Sequence, residues 1–578
     1  MGHDITILIG GAAGQGIQTI GSLLAGICHE AGLFIYSYDD FQSRIRGGHS
    51  YHLLRIDNQP LTGPSLSPDI LVAMDRNSFD LYHHRLTKRG RVLLNSDAGD
   101  TPADLPENIM LSLPLADLAK SAGGAITANT VAAGVVAAML GTGLSRARQA
   151  VEAQFRSRGK KVVEMNLAAL EKGYEAGQNH AVDHTLTFTG FAQERVVMSG
   201  ARAAALGALA ADCRFFPFYP MSPGTPIVTH LADMAQEVPI VVEQAEDEIA
   251  AVNMAIGASF AGVRALTATS GGGFSLMVEG LGLAGISETP IVIINAQRPG
   301  PATGMATRTA QADLLFTIHA SQDEFPRFVF APGSALDTFH AVKKAVMLSQ
   351  RFQVPAIVLM DQFLVDSAMT GVISFDPAEE PDPAMETKWD QKETQSSQND
   401  TYQRYRLTAD GISPRIHPCT PAGLVRVSGN EHGPSGFPDE NPENRCAMVD
   451  KRFKKLTGMK EQMTMPDVFA PESEFFLTGW GSTRGGIMEA CQTLRQEGVD
   501  VGWVLFQDLW PLDEHKLTDL LSGKQLILVE GNATGQLGVL IHSLTGIRHY
   551  SLVAKYDGRP VFANYIVDKV RQIQGVKK

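Results

Sequence analysis

The stretch "VVEQAEDEIAAVNMAIGASFAG", Val241 to Gly262, opens on an apolar run, crosses a cluster of acids and closes on small, uncharged residues. Val238 to Gln244 is a short apolar run of strand length. Glu243, Glu246, Asp247 and Glu248 come next, and from Ile249 to Val263 there is no charge at all, in a pattern that reads as a helix. Acids in the first turn of a helix complement its dipole and satisfy its free amides, so capping is one reading of the cluster. The other starts from the run of Ala and Gly that follows. It lets backbones approach closely, takes the first turn out of water, and leaves a carboxyl there as an acid–base site.

The same strand–helix grammar continues on both sides. CRFFPFYP, RALTATS, PIVIINAQ and VPAIVLMD are further apolar runs, with PIVTHLADMAQ and TFHAVKKAVMLSQ as helical segments between them. Alternation of this kind predicts a parallel sheet covered on both faces, over residues 186–375. Upstream, DITILIG, GGAAGQG, IQTIGSLLAGICHEAG and LFIYSY spell strand, glycine turn, helix and strand, and DILVAMD and GRVLLNSD add strands, giving an α/β domain over residues 1–185. Residues 376–465 are acidic, Pro-rich and polar with little periodicity, and read as an extended connector. Residues 466–578 carry FFLTGWG, VGWVLFQ and KQLILVEGN as strands of a third, smaller unit. The fold class is therefore α/β, with several doubly wound domains.

Composition narrows the function. A chain of 578 residues with net charge −13 is not built for nucleic acid or an anionic membrane. Its five cysteines are scattered without a C-x-x-C pair, as a reducing, cytoplasmic setting tolerates, and predict neither an iron–sulfur cluster nor a metal site in this chain. The opening MGHDITILIGG fits a myristoylation pattern, yet Ile5 to Ile9 reads as a buried strand. Between Lys120 and Arg146 lies an uncharged stretch long enough to raise the membrane question; its Gly, Ser, Thr and Asn residues favour a tightly packed soluble helix.

In a parallel α/β sheet, ligands gather at the carboxyl ends of the strands. There the second unit places Tyr219, Pro220, Met221 and Ser222, then the acid cluster, then Thr269, Ser270 and the glycines from Gly271 to Gly273, then Arg298 in QRPGPATG, which also holds Thr303. The glycines have a second reading as a tight turn with positive φ, and Arg298 as a surface residue. GGAAGQG suggests a dinucleotide turn with Asp39 or Asp40 as the ribose acid, but its spacing is G-x-x-G-x-G, with Thr19 where the last glycine is required. FQSRIRGGHS brings Arg44, Arg46, Gly47, Gly48 and His49 together, able to grip a carboxylate or phosphate or to form a solvated loop.

Together YPMSPGTP, EDEIAAVNMAIGASFAG, TATSGGGFSLM, QRPGPATG, DGISPR, VSGNEH, GWGSTRGGIMEA and VEGNATGQL resemble the α subunit of the 2-oxoacid:ferredoxin oxidoreductases. GGAAGQGIQT and SRIRGGHS resemble that family's γ domain, here fused in front. The resemblance implies a Rossmann-like γ domain, a pyrimidine-binding thiamine diphosphate domain and a transketolase C-terminal-like domain. It implies an enzyme that cleaves a 2-oxoacid oxidatively, passes electrons to ferredoxin and forms an acyl-CoA from coenzyme A, or runs in reverse. By the same matching, Glu248 meets the cofactor's aminopyrimidine ring and Arg298 holds the substrate carboxylate. Tyr219, Pro220, Met221, Thr269, Ser270 and Gly271 line the cofactor. Ser222 stands where the family commonly has threonine, and TSGGG replaces a commoner TSGPG. Arg44, Arg46, Gly47, Gly48, His49 and Thr303 become candidates for substrate or coenzyme A.

Thiamine enzymes hold the diphosphate through Mg2+ bound by a G-D-G motif, and this sequence contains none. The resemblance therefore implies an obligate partner β subunit that brings Mg2+ and a [4Fe-4S] cluster, in an αβ pair that is itself doubled. The α/γ-fused form resembles the 2-oxoglutarate enzymes; pyruvate or branched-chain 2-oxoacids are the alternatives, as are a non-redox carboligase or decarboxylase and a scaffold subunit.

Overall fold

A computed structural model describes residues 4–41, 48–98, 109–190, 194–374, 402–416, 418, 424–548 and 550–575. The chain forms two compact units, Met1–Ser199 with Asp366–Ser374, and Gly200–Val365 with Phe375–Lys578.

The first unit is built on an eight-stranded sheet. The strands Met110–Leu113, Arg91–Asn95, Ile70–Ala73 and Ile5–Ala12 run parallel. From Ile5–Ala12 onward, His49–Asp57, Phe34–Asp40, Ala368–Gly371 and Val196–Ser199 follow in antiparallel order. His49–Asp57 is not among the runs read from the sequence, because His49, His52, Arg55 and Asp57 interrupt its apolar residues. Of these, His52 Nδ1 meets Asp39 Oδ1 at 2.8 Å and Arg55 Nε donates to Asp4 Oδ2 at 2.6 Å. The uncharged stretch folds largely as the helix Ala128–Met139, buried from Thr130 onward. It packs so closely on the helix Lys160–Gly177 that a Cβ on Gly173 would lie 2.0 Å from the Val131 carbonyl oxygen. Among the described residues no helix is long and apolar enough to cross a membrane.

The second unit holds two larger sheets. One has Leu266–Thr269, Val292–Gln297, Ala356–Asp361 and Phe328–Phe330 in parallel, closed at the edge by the antiparallel strand Asp508–Trp510. Phe215–Phe218 and Val241–Gln244 form a parallel pair that joins this sheet through a bridge from Phe215 to Ala265. The other sheet is ordered Asp467–Phe469, Val501–Phe506, Phe475–Trp480, Gln525–Glu530 and Tyr550–Ala554. Val292–Gln297 and Ala356–Asp361 are buried along their whole length, as continuous apolar runs in a sheet covered on both faces require.

Within the stretch read as a connector, the structure has a helix, Pro442–Gln462, capped by Asn441. Its buried face includes Lys451, Arg452 and Lys455, so apolar periodicity could not reveal it. Both lysines are paired with Glu288, which is as deeply buried as they are: Lys451 Nζ lies 2.6 Å from Oε1 and Lys455 Nζ 2.6 Å from Oε2. A buried charge is tolerated only with such partners.

Candidate active site

Asp247 and Glu248 divide the two readings of the acid cluster between them. Asp247 caps the helix Glu248–Phe260: its backbone is extended and its carboxylate accepts the Ala250 N–H at 2.7 Å. Glu243 and Glu246 are exposed. Glu248, the first helical residue, is only 3% exposed, and its Oε1 has no hydrogen-bond partner. A buried carboxyl oxygen without a donor is costly to keep and marks a place where a ligand can supply one. The helix buries Ala251, Val252, Ala255, Ile256 and Ser259. Gly257, expected to admit a neighbouring backbone, instead faces open space. The close approach is made by Gly280 on the adjacent helix, where a Cβ would lie 2.7 Å from Val252 Cγ1.

The glycines after Ser270 start the helix Gly271–Ile286, and Gly271, Gly272 and Gly273 all avoid the positive φ that a turn reading predicts. Two are required by space. A Cβ on Gly273 would meet Thr269 Oγ1 at 2.1 Å and Glu248 Oε1 at 2.7 Å, and one on Gly271 would meet Asp313 Oδ2 at 2.6 Å. The nearest atom to a Cβ on Gly272 is the Ala302 carbonyl oxygen at 3.7 Å, so the position where the family commonly has proline has room for a side chain. Thr269 and Ser270 are fully buried, and Ser270 Oγ has no partner.

Arg298 follows the strand Val292–Gln297 and is 8% exposed, against the surface reading. Its Nη1 donates to the Ser222 carbonyl oxygen at 2.6 Å, while Nε has no partner. Burial lowers the guanidinium pKa, and the charge of Glu248 acts the other way. Ser222 contributes its carbonyl to this contact, and its side chain lies in an exposed residue. Tyr219, Pro220 and Thr303 are exposed and Met221 is half-buried.

Asp313 stands out only in the structure. Its Oδ2 accepts Asn295 Nδ2 at 3.0 Å and its backbone N–H donates to Gln297 Oε1 at 3.0 Å. Burial pushes its carboxyl pKa up, partly offset by the Asn295 hydrogen bond.

In the first unit, His49 Nε2 meets the Tyr82 hydroxyl at 2.9 Å and His49 Nδ1 meets Asn77 Nδ2 at 3.4 Å. Burial lowers the His49 pKa, with Asp75 and Asp40 opposing. The Gly48 carbonyl accepts the Ala13 N–H at 3.0 Å. Arg44, Arg46 and Gly47 lie outside the described residues. In the glycine loop, Gly14 and Gly16 have φ of 94° and 75°, and a Cβ on Gly16 would lie 1.9 Å from Asn129 Nδ2. Among the described residues no cluster of three or more His, Cys, Asp or Glu could hold a metal ion.

The donor set fits the pyrimidine end of thiamine diphosphate. An aminopyrimidine offers a ring nitrogen and an amino group, and Glu248 Oε1 and Ser270 Oγ are buried polar atoms with unused capacity beside a glycine-cleared turn.

Comparisons with known proteins agree. Residues 206–451 match the family described as pyruvate flavodoxin/ferredoxin oxidoreductase, thiamine diphosphate-binding, and residues 6–176 match pyruvate ferredoxin/flavodoxin oxidoreductase. A 2-oxoacid:ferredoxin oxidoreductase α subunit of Saccharolobus solfataricus is 30% identical, over 98% of each chain. The 2-oxoglutarate oxidoreductase subunit KorA of Mycobacterium tuberculosis is 28% identical, over 96% of this chain and 91% of its own. Among solved structures, a 2-oxoglutarate:ferredoxin oxidoreductase from Magnetococcus marinus, with 2-oxoglutarate, coenzyme A and succinyl-CoA bound, superposes with a TM-score of 0.89 at 29% identity, over 98% of this chain and 99% of that one. With likeness of this extent in sequence and fold, the chain belongs to the 2-oxoacid:ferredoxin oxidoreductases, thiamine diphosphate-dependent enzymes, as an α subunit.

Proposed function

We propose that this chain, joined to a partner β subunit, converts 2-oxoglutarate, coenzyme A and oxidised ferredoxin into succinyl-CoA, carbon dioxide and reduced ferredoxin, and runs in reverse as a carboxylating synthase. The observation that carries the reading is the unpartnered, buried Oε1 of Glu248 beside Thr269 and the glycine turn at Gly273. Thiamine diphosphate supplies the electron sink that lets a 2-oxoacid lose carbon dioxide. Toward it, Glu248 hydrogen-bonds the aminopyrimidine ring nitrogen and sets that ring's protonation, while Ser270, Thr269 and Gly271, with Tyr219, Pro220 and Met221, shape its seat. Burial around Glu248 keeps water from competing for that hydrogen bond. Arg298 binds and orients the substrate carboxylate with its guanidinium, a task suited to a planar fork of donors.

Mg2+ and a [4Fe-4S] cluster belong to the β subunit, in keeping with a sequence that has no Gly-Asp-Gly and only scattered cysteines. Tyr219, Ile249, Leu276 and Met305 expose apolar side chains just after successive strands of the second unit, and offer that subunit a surface. The named substrates of the KorA relatives and of the Magnetococcus enzyme favour 2-oxoglutarate over pyruvate and branched-chain acids. Its second carboxylate needs a further cation or donor, a role for which Arg44, Arg46 and His49 are the candidates. We place the complex in the cytoplasm, where reduced ferredoxin and free thiols are maintained.

The test is to purify the chain with its co-expressed partner and follow ferredoxin reduction on a panel of 2-oxoacids. Reduction that requires coenzyme A and is fastest with 2-oxoglutarate is expected, and Arg46→Ala should harm 2-oxoglutarate more than pyruvate. Turnover without ferredoxin or coenzyme A would instead identify a non-redox decarboxylase or carboligase.

A further inference from the structure

Asn295 and Gln297 lie two residues apart on the strand Val292–Gln297, so both project from the same face of the sheet. Thr269 is the register partner of Asn295 on the neighbouring parallel strand and shares that face. Over this face runs the segment that follows the Arg298 loop. Asp313 in it is gripped twice, by Asn295 Nδ2 on its carboxylate and by Gln297 Oε1 on its N–H, each at 3.0 Å. Gln297 is itself fixed, its Nε2 donating to the Met360 carbonyl at 3.2 Å.

Two residues earlier, Gln311 ties the same segment to the C-terminal sheet with all of its polar groups. Its N–H donates to the Gly531 carbonyl at 2.9 Å, and its Oε1 accepts the Gly531 N–H at 2.9 Å. Its Nε2 donates to the Trp480 carbonyl at 2.7 Å, and its own carbonyl accepts Asn532 Nδ2 at 2.9 Å. Asn532 and the Trp480 indole both donate to Glu530, a carboxylate with no solvent exposure.

This anchored strap delivers the Asp313 carboxyl to the first turn of the Gly271–Ile286 helix, where only a glycine at 271 leaves it space. In the same turn, Gly273 makes the room occupied by Glu248 and Thr269. Among the described residues no ion pair neutralises Asp313, while Asn295 Oδ1 beside it is buried and unpartnered. Asp313 is half-buried, and taking a carboxyl even partly out of water without an ion pair is unfavourable for stability alone. We propose that Asp313, anchored through Gln311 to the C-terminal sheet, is a further positioning residue of the active site, fixing the glycine turn that sets the placement of Glu248. The C-terminal domain thereby takes part in cofactor activation without touching the cofactor. This inference rests on the proposed role of Glu248.

The test uses the purified complex with thiamine diphosphate and no substrate, and reads the exchange of the cofactor's thiazolium proton with deuterium by quenched-flow NMR. Displacing a catalytic group by an ångström costs on the order of 100-fold. Asp313→Ala should slow exchange by roughly 10-fold to 100-fold, with the KM for the 2-oxoacid within about twofold of wild type. Asp313→Asn, which keeps the shape and can also donate to Asn295 Oδ1, should recover most of that loss. Gly271→Ala, which crowds the same contact from the other side, should reproduce the slow exchange, and keeps the test open if Asp313→Ala fails to fold. Wild-type exchange rates in both Asp313→Ala and Gly271→Ala would overturn the proposal, as would a raised KM with exchange untouched, which would make Asp313 a substrate-binding group. Glu248→Gln measured alongside separates the two claims. Normal exchange in Glu248→Gln removes the underlying reading, whereas slow exchange there with normal exchange in Asp313→Ala removes only this one.

Discussion

A carboxylate at the start of a helix is offered free backbone N–H groups, and Asp247 takes the one at Ala250, while Glu248 leaves Oε1 unpartnered inside the protein. One residue of offset along the chain thus separates a capping acid from one with unused hydrogen-bonding capacity. Arg298 shows a related division. Nη1 is committed to the Ser222 carbonyl and Nε is unpartnered, so the guanidinium is held in place with capacity left for an anion. A hydrogen bond to a charged group contributes about 1.5–3 kcal/mol. Arg298→Ala should therefore raise the KM for the 2-oxoacid by roughly 10-fold to 100-fold, in steady-state assays with coenzyme A and ferredoxin saturating. Arg298→Lys should recover only part, because an ammonium lacks the planar fork. An unchanged KM in Arg298→Ala would deny the residue its role. Glu248 and Arg298 were legible from the sequence, one by its place in an acid cluster ahead of an uncharged helix and both by family resemblance. Asp313 was not. It has no acidic neighbours in sequence, and its grip comes from Asn295 and Gln297, which read as the end of an ordinary strand.

At the scale of one element, the glycine helix shows why residue type and residue reason can be told apart. Its position between a buried strand and a second helical segment is readable, but the sequence leaves the glycines open between a turn with positive φ and close approach of a ligand. None of the three has positive φ, and Gly271 and Gly273 are there because side chains occupy the space a Cβ would need. Overpacking a rigid site costs about 1–3 kcal/mol. Gly273→Ala should accordingly lower the melting temperature of the purified complex and weaken its retention of thiamine diphosphate. Gly272→Ala, with its nearest neighbour at 3.7 Å, should do neither. Equal behaviour of the two variants would show that the turn yields without consequence. The helix Pro442–Gln462 makes the complementary point. A buried face that includes Lys451, Arg452 and Lys455 has no apolar stripe to read, and only the position of Glu288 in the fold explains it.

At the scale of the molecule, the second unit brings the carboxyl ends of two sheets together around the strap of Gln311 and Asp313. Strand grammar revealed the central strands of both sheets, but not Phe328–Phe330, Asp467–Phe469, Tyr550–Ala554 or Asp508–Trp510, the last of which closes the edge of the first sheet from the C-terminal region. Asp361, at the end of Ala356–Asp361, sits at this junction, accepting from the Ser482 hydroxyl and from the Leu364 N–H at 2.8 Å. Burial pushes its pKa up to about 6 from the usual 3.8, against the hydrogen bonds from Ser482, Leu364 and Thr309. Between those values the folded state binds more protons than the unfolded one, so this group's contribution to stability falls as pH rises from about 4 to about 6 and stays low above. Asp361→Asn should then melt higher than wild type at pH ~7.5, with the gap closing as pH is lowered through ~6 toward ~4. A gap independent of pH would show that Asp361 does not titrate in this way. The central claim is that Glu248 completes, from this chain, a thiamine diphosphate site whose Mg2+ half is the partner's. Its most direct test is single-turnover reduction of the partner's cluster by 2-oxoglutarate in the purified complex with Glu248→Gln. The account predicts an assembled complex that still binds thiamine diphosphate but reduces its cluster on the order of 1,000-fold more slowly than wild type; reduction at the wild-type rate would contradict it.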